Sequence, residues 1–130
     1  MSEIKVDTLN GKTTAGNITV TSGSATMQLQ DGLVKVYAYV NQSGTHTAGD
    51  TLNVSSILDY VAGTTRIFHS NNMSSSTYCI SGGAADSVGY GQYQFYTVNT
   101  TSYHTGRVTP DYSLSQVDGH IGSVIHGDLA

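Results

Sequence analysis

The chain is 130 residues long, carries a formal charge of −4 and is only 11% charged, against about 25% in an ordinary soluble domain. That length makes one domain with about 100 residues available for a core. The five cations, Lys5, Lys12, Lys35, Arg66 and Arg107, are too scattered for the clustered face that nucleic acid binding requires, and a single cysteine, Cys79, excludes an intrachain disulfide.

Residues 1–31, MSEIKVDTLNGKTTAGNITVTSGSATMQLQD, are polar, rich in Thr, Ser and Gly, and short of large apolar side chains. They are expected to form an extended arm for attachment and oligomerisation, with residues 32–130 as a β domain. Ile4, Val6, Leu9, Ile18 and Val20 are the arm's candidate attachment residues. Within it GNITVTSG reads as a strand bounded by glycines and without a partner inside the arm. An isolated strand is marginal in water, so it should pair with another chain or stay disordered. The start has no basic segment followed by an apolar one, so no secretory signal is expected. The longest apolar stretch is broken by Lys35, far short of the roughly 20 residues of a membrane helix. Low charge and a hydroxyl-rich surface fit a chain partly covered by identical neighbours.

Beyond the arm, helix periodicity is nearly absent and period-two alternation recurs. In LVKVYAYV, Val34, Val36, Ala38 and Val40 fall on one face, with Lys35, Tyr37 and Tyr39 on the other, as in a half-buried strand. LNVSSILDYVAGTTRIFHS reads as a hairpin turning at Ala62-Gly63, with Ile57 and Arg66 on arms able to pair. TYCIS is a short strand running into a Gly-rich loop, Ser81–Gly91. QYQFYTV is a further strand, and Tyr103 to Val108 a return strand stopped by Pro110. HIGSVIHGDL alternates Ile121, Ser123 and Ile125 against His120, Gly122, Val124 and His126. Six or seven short strands separated by turn signals predict an all-β fold: an antiparallel β-sandwich, jelly-roll-like, carried on the arm.

Chemistry is harder to find. Glu3 lies in the arm and nearly every Asp from Asp31 to Asp128 sits beside Gly or in a turn-like context, where local hydrogen bonding favours it, so no carboxylate pair for hydrolysis emerges. There is no G-x-S-x-G elbow, no phosphate-binding glycine loop and no Zn-type Cys/His cluster. His120 and His126 share a strand face but stand about 20 Å apart at 3.3 Å per residue, too far for one ion. No metal or cofactor is expected. Tyrosine is the remaining signal: nine Tyr and no Trp. Tyr90, Tyr93, Tyr96 and Tyr103 cluster near the Gly-rich loop, where each ring offers an apolar face to a sugar and a hydroxyl to orient it. Cross-strand Tyr pairs stabilising the sheet are the competing reading.

The opening MSEIKVDTLNGKTTAGNITVTSGS, followed by GLVKVYAYVN, DTLNVSSILDYVAGTTRIFHSNNM, STYCISGG and a closing strand near HGDLA, resembles tail-fibre-like and virion structural proteins of marine tailed bacteriophages, including cyanophages. The likeness extends over essentially the whole chain. It implies a homotrimeric β-rich fibre, knob or decoration, located on the virion, whose N-terminal arm binds other virion proteins and whose knob meets host surface polysaccharide. Tail fibres are usually much longer, and 130 residues leave no room for a long shaft. A short fibre tip is thus the leading expectation, with a capsid decoration or head-fibre protein as the first alternative and a glycan depolymerase as the second.

Overall fold

A computed structural model describes residues 8, 18–22, 24–86, 91–95, 99–110 and 116–130. The described residues divide into two compact units, with the boundary between Leu33 and Val34.

In the first unit, β1 (Thr19–Ser22) pairs antiparallel with β2 (Ala25–Gln28), Val20 opposite Met27. A single helical turn, α1 (Leu29–Gly32), follows and is tied back by a 2.7 Å bond from Leu29 N–H to Ile18 C=O. The expectation of a partnerless arm strand is therefore corrected. ATMQ, directly downstream in the sequence, supplies the partner, and its four-residue length without any β-branched apolar residue hides it as a strand.

The second unit is a β-sandwich of eight strands. One sheet has the order β4-β3-β10-β7 and the other β5-β6-β9-β8, all neighbours antiparallel. The strands are β3 (Val36–Asn41), β4 (Thr47–Leu52), β5 (Val54–Val61), β6 (Thr64–His69), β7 (Cys79–Asp86), β8 (Gly91–Phe95), β9 (Tyr103–Pro110) and β10 (Gly119–His126). Eight strands in two sheets match the jelly-roll number, while three hairpins, β3–β4, β5–β6 and β8–β9, stay within single sheets.

The alternation read from sequence holds in β3, where Val36, Ala38 and Val40 are buried, and in β10, where Ile121, Ser123 and Ile125 are buried. The hairpin at Ala62-Gly63 also forms, with Ile57 opposite Ile67 and Leu58 opposite Arg66. Two readings need correction besides the arm. Residues 81–86 of the expected Gly-rich loop continue β7, because Gly83 and Gly82 lie directly opposite Gly122 and Ser123 and keep the ladder unbroken; residues 87–90 lie outside the described residues. THTAGDTL contributes a strand, β4, that polar composition conceals. Its residues are nearly all exposed because it forms one edge of its sheet.

The core lies between the sheets. Ala38, Val40 and Ile121 of one sheet meet Ile67 and Val108 of the other, and Val36 and Ile125 pack with Met73 at one end. The chain crosses from β4 to β5 at Asn53, whose φ of 56° lies in the left-handed region that Asn tolerates. Its side chain clasps the far end of the hairpin: Asn53 Oδ1 accepts from Asn71 N–H at 2.7 Å and Nδ2 donates to Asn71 C=O at 3.1 Å. Among the described residues no helix is long and apolar enough to cross a membrane.

Candidate functional site

Two hydrogen-bonded chains of polar side chains cross the interior. In the first, His69 Nδ1 lies 3.2 Å from Thr101 C=O. A carbonyl only accepts, so this nitrogen carries the proton and His69 Nε2 must accept from His104 Nδ1–H, 3.0 Å away. His104 Nε2 in turn accepts from Ser123 Oγ at 2.9 Å, bridging the two sheets. Burial pushes His104 down to about 3, with His69 adding a smaller effect in the same direction. His69 is lowered too, by burial, against the opposing pull of the Thr101 carbonyl. Tyr78 packs edge-on against His69 and donates to Thr100 C=O and Tyr103 C=O, both at 3.0 Å. Its phenol is raised above its ordinary range by burial first and by Tyr103 second.

A serine bonded to a histidine that is oriented by another acceptor is the arrangement that activates a nucleophile in an open site. Here Ser123 and His104 are sealed between the sheets at 1% and 0% exposure. A substrate cannot reach the hydroxyl, and the linkage serves to join the layers.

The second chain ties the turn end of the sandwich. Gln42 Nε2 donates to Thr65 Oγ1 at 3.0 Å, so the Thr65 hydroxyl proton goes to His46 Nδ1 at 2.8 Å. His46 Nε2–H then faces Asp59 Oδ1 at 3.4 Å and Asp118 Oδ1 at 3.7 Å. Asp118 Oδ1 accepts from Gly63 N–H at 2.7 Å, and Gln42 Oε1 from Gly119 N–H at 3.3 Å. Thr65→Val keeps the shape and deletes the hydroxyl shared by two buried partners. We expect it to cost about 1–3 kcal/mol, read as a lower urea midpoint at unchanged m-value.

The outer face of the β5-β6-β9-β8 sheet has a different character. Arg66 Cζ lies 3.8 Å from the centroid of the Tyr60 ring and 5.3 Å from that of Tyr103, within the range of attraction between a cation and an aromatic face. Phe68 and Tyr103 are opposite each other in the β6–β9 ladder and their rings meet at 5.3 Å. A register shift between Asp59 and Val61 makes Tyr60 the extra residue of a β-bulge. Such a bulge re-aims a side chain, and here it accompanies the Tyr60 ring over the guanidinium. Leu58, Tyr60 and Val61 are all more than 40% exposed. The result is an aromatic and apolar patch, exposed at Leu58, Tyr60 and Val61 and half-buried at Phe68 and Tyr103, gathered around the Arg66 guanidinium.

The other sheet's outer face carries a smaller aromatic pair. Tyr39 stacks on His120 at 5.8 Å, and its hydroxyl meets His120 Nδ1 at 2.9 Å. A pocket of about 260 Å³ is lined by Ser74, Ser75, Thr77, Tyr78, Gly127 and Asp128. Ser75 Oγ and Thr77 Oγ1 bond to each other at 2.7 Å, and the Tyr78 hydroxyl is turned inward to the Thr100 and Tyr103 carbonyls.

Of the sequence-predicted residues, Tyr103 belongs to the aromatic face. Tyr93 lies in β8, its backbone opposite Val108, and Tyr90 and Tyr96 lie outside the described residues. Ile18 and Val20 sit in or beside the first unit's hairpin, and Ile4, Val6 and Leu9 lie outside the described residues. Tyr60, Arg66 and Phe68 are site residues that the tyrosine clustering does not single out. Strand parity in TTRIFH, with Ile67 inward, is the signal that places Arg66 and Phe68 together on the outside. His120 and His126 share a face of β10 as expected, and among the described residues no group of three or more His, Cys, Asp or Glu is placed to hold a metal ion. No protein-family model, curated protein or solved structure matches the chain.

Proposed function

We propose that this chain is a non-enzymatic virion structural protein of a tailed phage, a short fibre-like or fibre-tip protein. Its N-terminal arm attaches it to other virion proteins, its knob self-associates as a homotrimer, and the knob presents an aromatic surface to glycan on the host. No cofactor, nucleic acid or membrane insertion is required for this role. The observation that carries the glycan half is the face formed by Tyr60, Phe68 and Tyr103. Tyr60 is exposed and Phe68 and Tyr103 are half-buried beside it, and aromatic rings on a rigid sheet offer flat apolar area at low entropic cost. The resemblance in the arm and strands supports the virion half, and a sandwich whose only Ser–His linkage among the described residues is sealed supports a binding rather than a hydrolytic role.

Purified chain should compete with intact phage for adsorption to host cells. Tyr60→Ser, an exposed bulge position, should weaken that competition about tenfold, the size expected when a central aromatic anchor is removed. Incorporation into particles without any competition would identify a capsid decoration protein instead. Release of soluble saccharide from host envelope would identify a depolymerase.

A further inference from the structure

The outer face described above contains a charge whose hydrogen-bonding capacity is open. The Arg66 guanidinium makes no hydrogen bond or ion pair with any described residue, and its Nε–H is buried without an acceptor. A guanidinium has five N–H donors in a rigid fork; the buried Nε–H is beyond the reach of a ligand, and the four Nη–H donors are the ones left to meet an anion. The two neighbouring rings satisfy the charge only in part, because ring contacts leave the Nη–H donors without acceptors among the described residues. Tyr60 is brought to this position by a β-bulge at an edge strand, which sets its ring over the guanidinium.

We infer that Arg66, clamped between Tyr60 and Tyr103, is a binding site for an acidic sugar unit, a pyranose bearing a carboxylate or a sulfate ester. The anionic group takes the Nη1–H and Nη2–H donors at the outer end of Arg66 as a charge-assisted, fork-shaped pair, the buried Nε–H lying behind them. The apolar face of the ring lies against Tyr60, with Leu58, directly opposite Arg66 in the ladder, extending the contact. Net charge of −4 makes this local: an acidic polymer is repelled by the molecule as a whole and held only where the cation is presented. This inference rests on the glycan-binding reading and names the class of glycan.

The test uses the full chain at about 0.15 M ionic strength, where unspecific attraction is screened over roughly 8 Å. The probes are an oligogalacturonate, a sulfated galactan oligomer and a neutral galactan oligomer. Calorimetry should show one or both acidic oligomers binding and the neutral one binding at least about tenfold more weakly, the equivalent of 1.4 kcal/mol. R66Q should lose that preference. R66K, which keeps the charge but not the fork, should retain only part of it. In nitrogen-15 spectra the Arg66 Nε–H resonance should move on adding the acidic oligomer and stay in place with the neutral one. If R66Q fails to fold, Tyr60→Ser opens the same clamp from an exposed position and should reduce acidic binding. Neutral and acidic oligomers binding equally, with R66Q unchanged, overturns the acidic assignment while leaving the glycan reading intact. Failure of both acidic probes to bind also overturns it, and adsorption competition then decides the glycan reading separately.

Discussion

Gly63→Ala will destabilise the knob by about 3–5 kcal/mol, a large share of the roughly 5–15 kcal/mol that holds such a domain together. Two effects combine. Gly63 has φ of +67°, where an L side chain costs about 1–2 kcal/mol. In addition, a Cβ at this position would lie 2.7 Å from Val117 N and 2.9 Å from Val117 C, and closer still to its carbonyl oxygen. All three obstacles are backbone, so no rotamer change relieves them. The hairpin turn must draw away from the segment before β10, which stretches Gly63 N–H to Asp118 Oδ1 at 2.7 Å and Val108 N–H to Gly63 C=O at 2.8 Å, each worth about 1 kcal/mol. Gly44 is the matched comparison. Its φ is +69° but an added Cβ meets nothing within 4 Å, so Gly44→Ala should cost only the conformational part. Urea unfolding of the two variants separates strain from contact, and equal losses would remove the contact from the account.

That turn also shows what a sequence conveys and what it withholds. Ala62-Gly63 between two alternating runs is a local signal, and local signals are legible: the alternation of Val36, Ala38 and Val40, the hairpin arms around Ile57 and Arg66, the face of Ile121, Ser123 and Ile125. The contact of Gly63 with Val117 joins residues far apart in the chain, and no local pattern encodes it. For the same reason β4 is invisible to pattern. An edge strand with one exposed side chain after another has no apolar period, and its existence follows from the open edge of β3 rather than from its own composition. The expected loop at 81–86 is the converse case, since glycines that favour a turn in isolation are held extended by the β10 ladder.

The aromatic face follows the same division. Tyr103 is legible as a tyrosine on a strand, but its neighbours Tyr60 and Arg66 come from a hairpin much earlier in the chain, and a bulge changes which way Tyr60 faces. A one-residue slip reverses the parity on which face assignment depends, so counting does not place Tyr60. The buried histidines are within reach of counting. His69 has the parity of Ile67, and His104 that of Val108, so alternation alone puts both imidazoles in the core.

Acid will weaken the knob because of those two histidines. His104 titrates at about 3 in the folded chain and near 6.5 when unfolded. Between these values the unfolded state binds a proton that the folded state refuses, so stability rises with pH and is lost as pH falls below about 6.5. One such group gives a slope of about 1.4 kcal/mol per pH unit, or about 2–3 kcal/mol between pH 7 and pH 4.5, a window in which carboxylates remain largely ionised. His69, lowered for the same reason, adds in the same direction. Protonating either ring also breaks the chain at its centre, because His69 Nε2 and His104 Nε2 are the acceptors for His104 Nδ1–H and Ser123 Oγ–H. His104→Asn supplies an amide that cannot titrate. It should be less stable than the parent at pH 7.5, having lost the fitted imidazole, yet lose visibly less between pH 7.5 and 4.5. Urea midpoints at four pH values decide the matter: parallel curves for parent and variant would mean that the acid sensitivity arises elsewhere, and converging curves place it in the hydrogen-bonded chain that joins the two sheets.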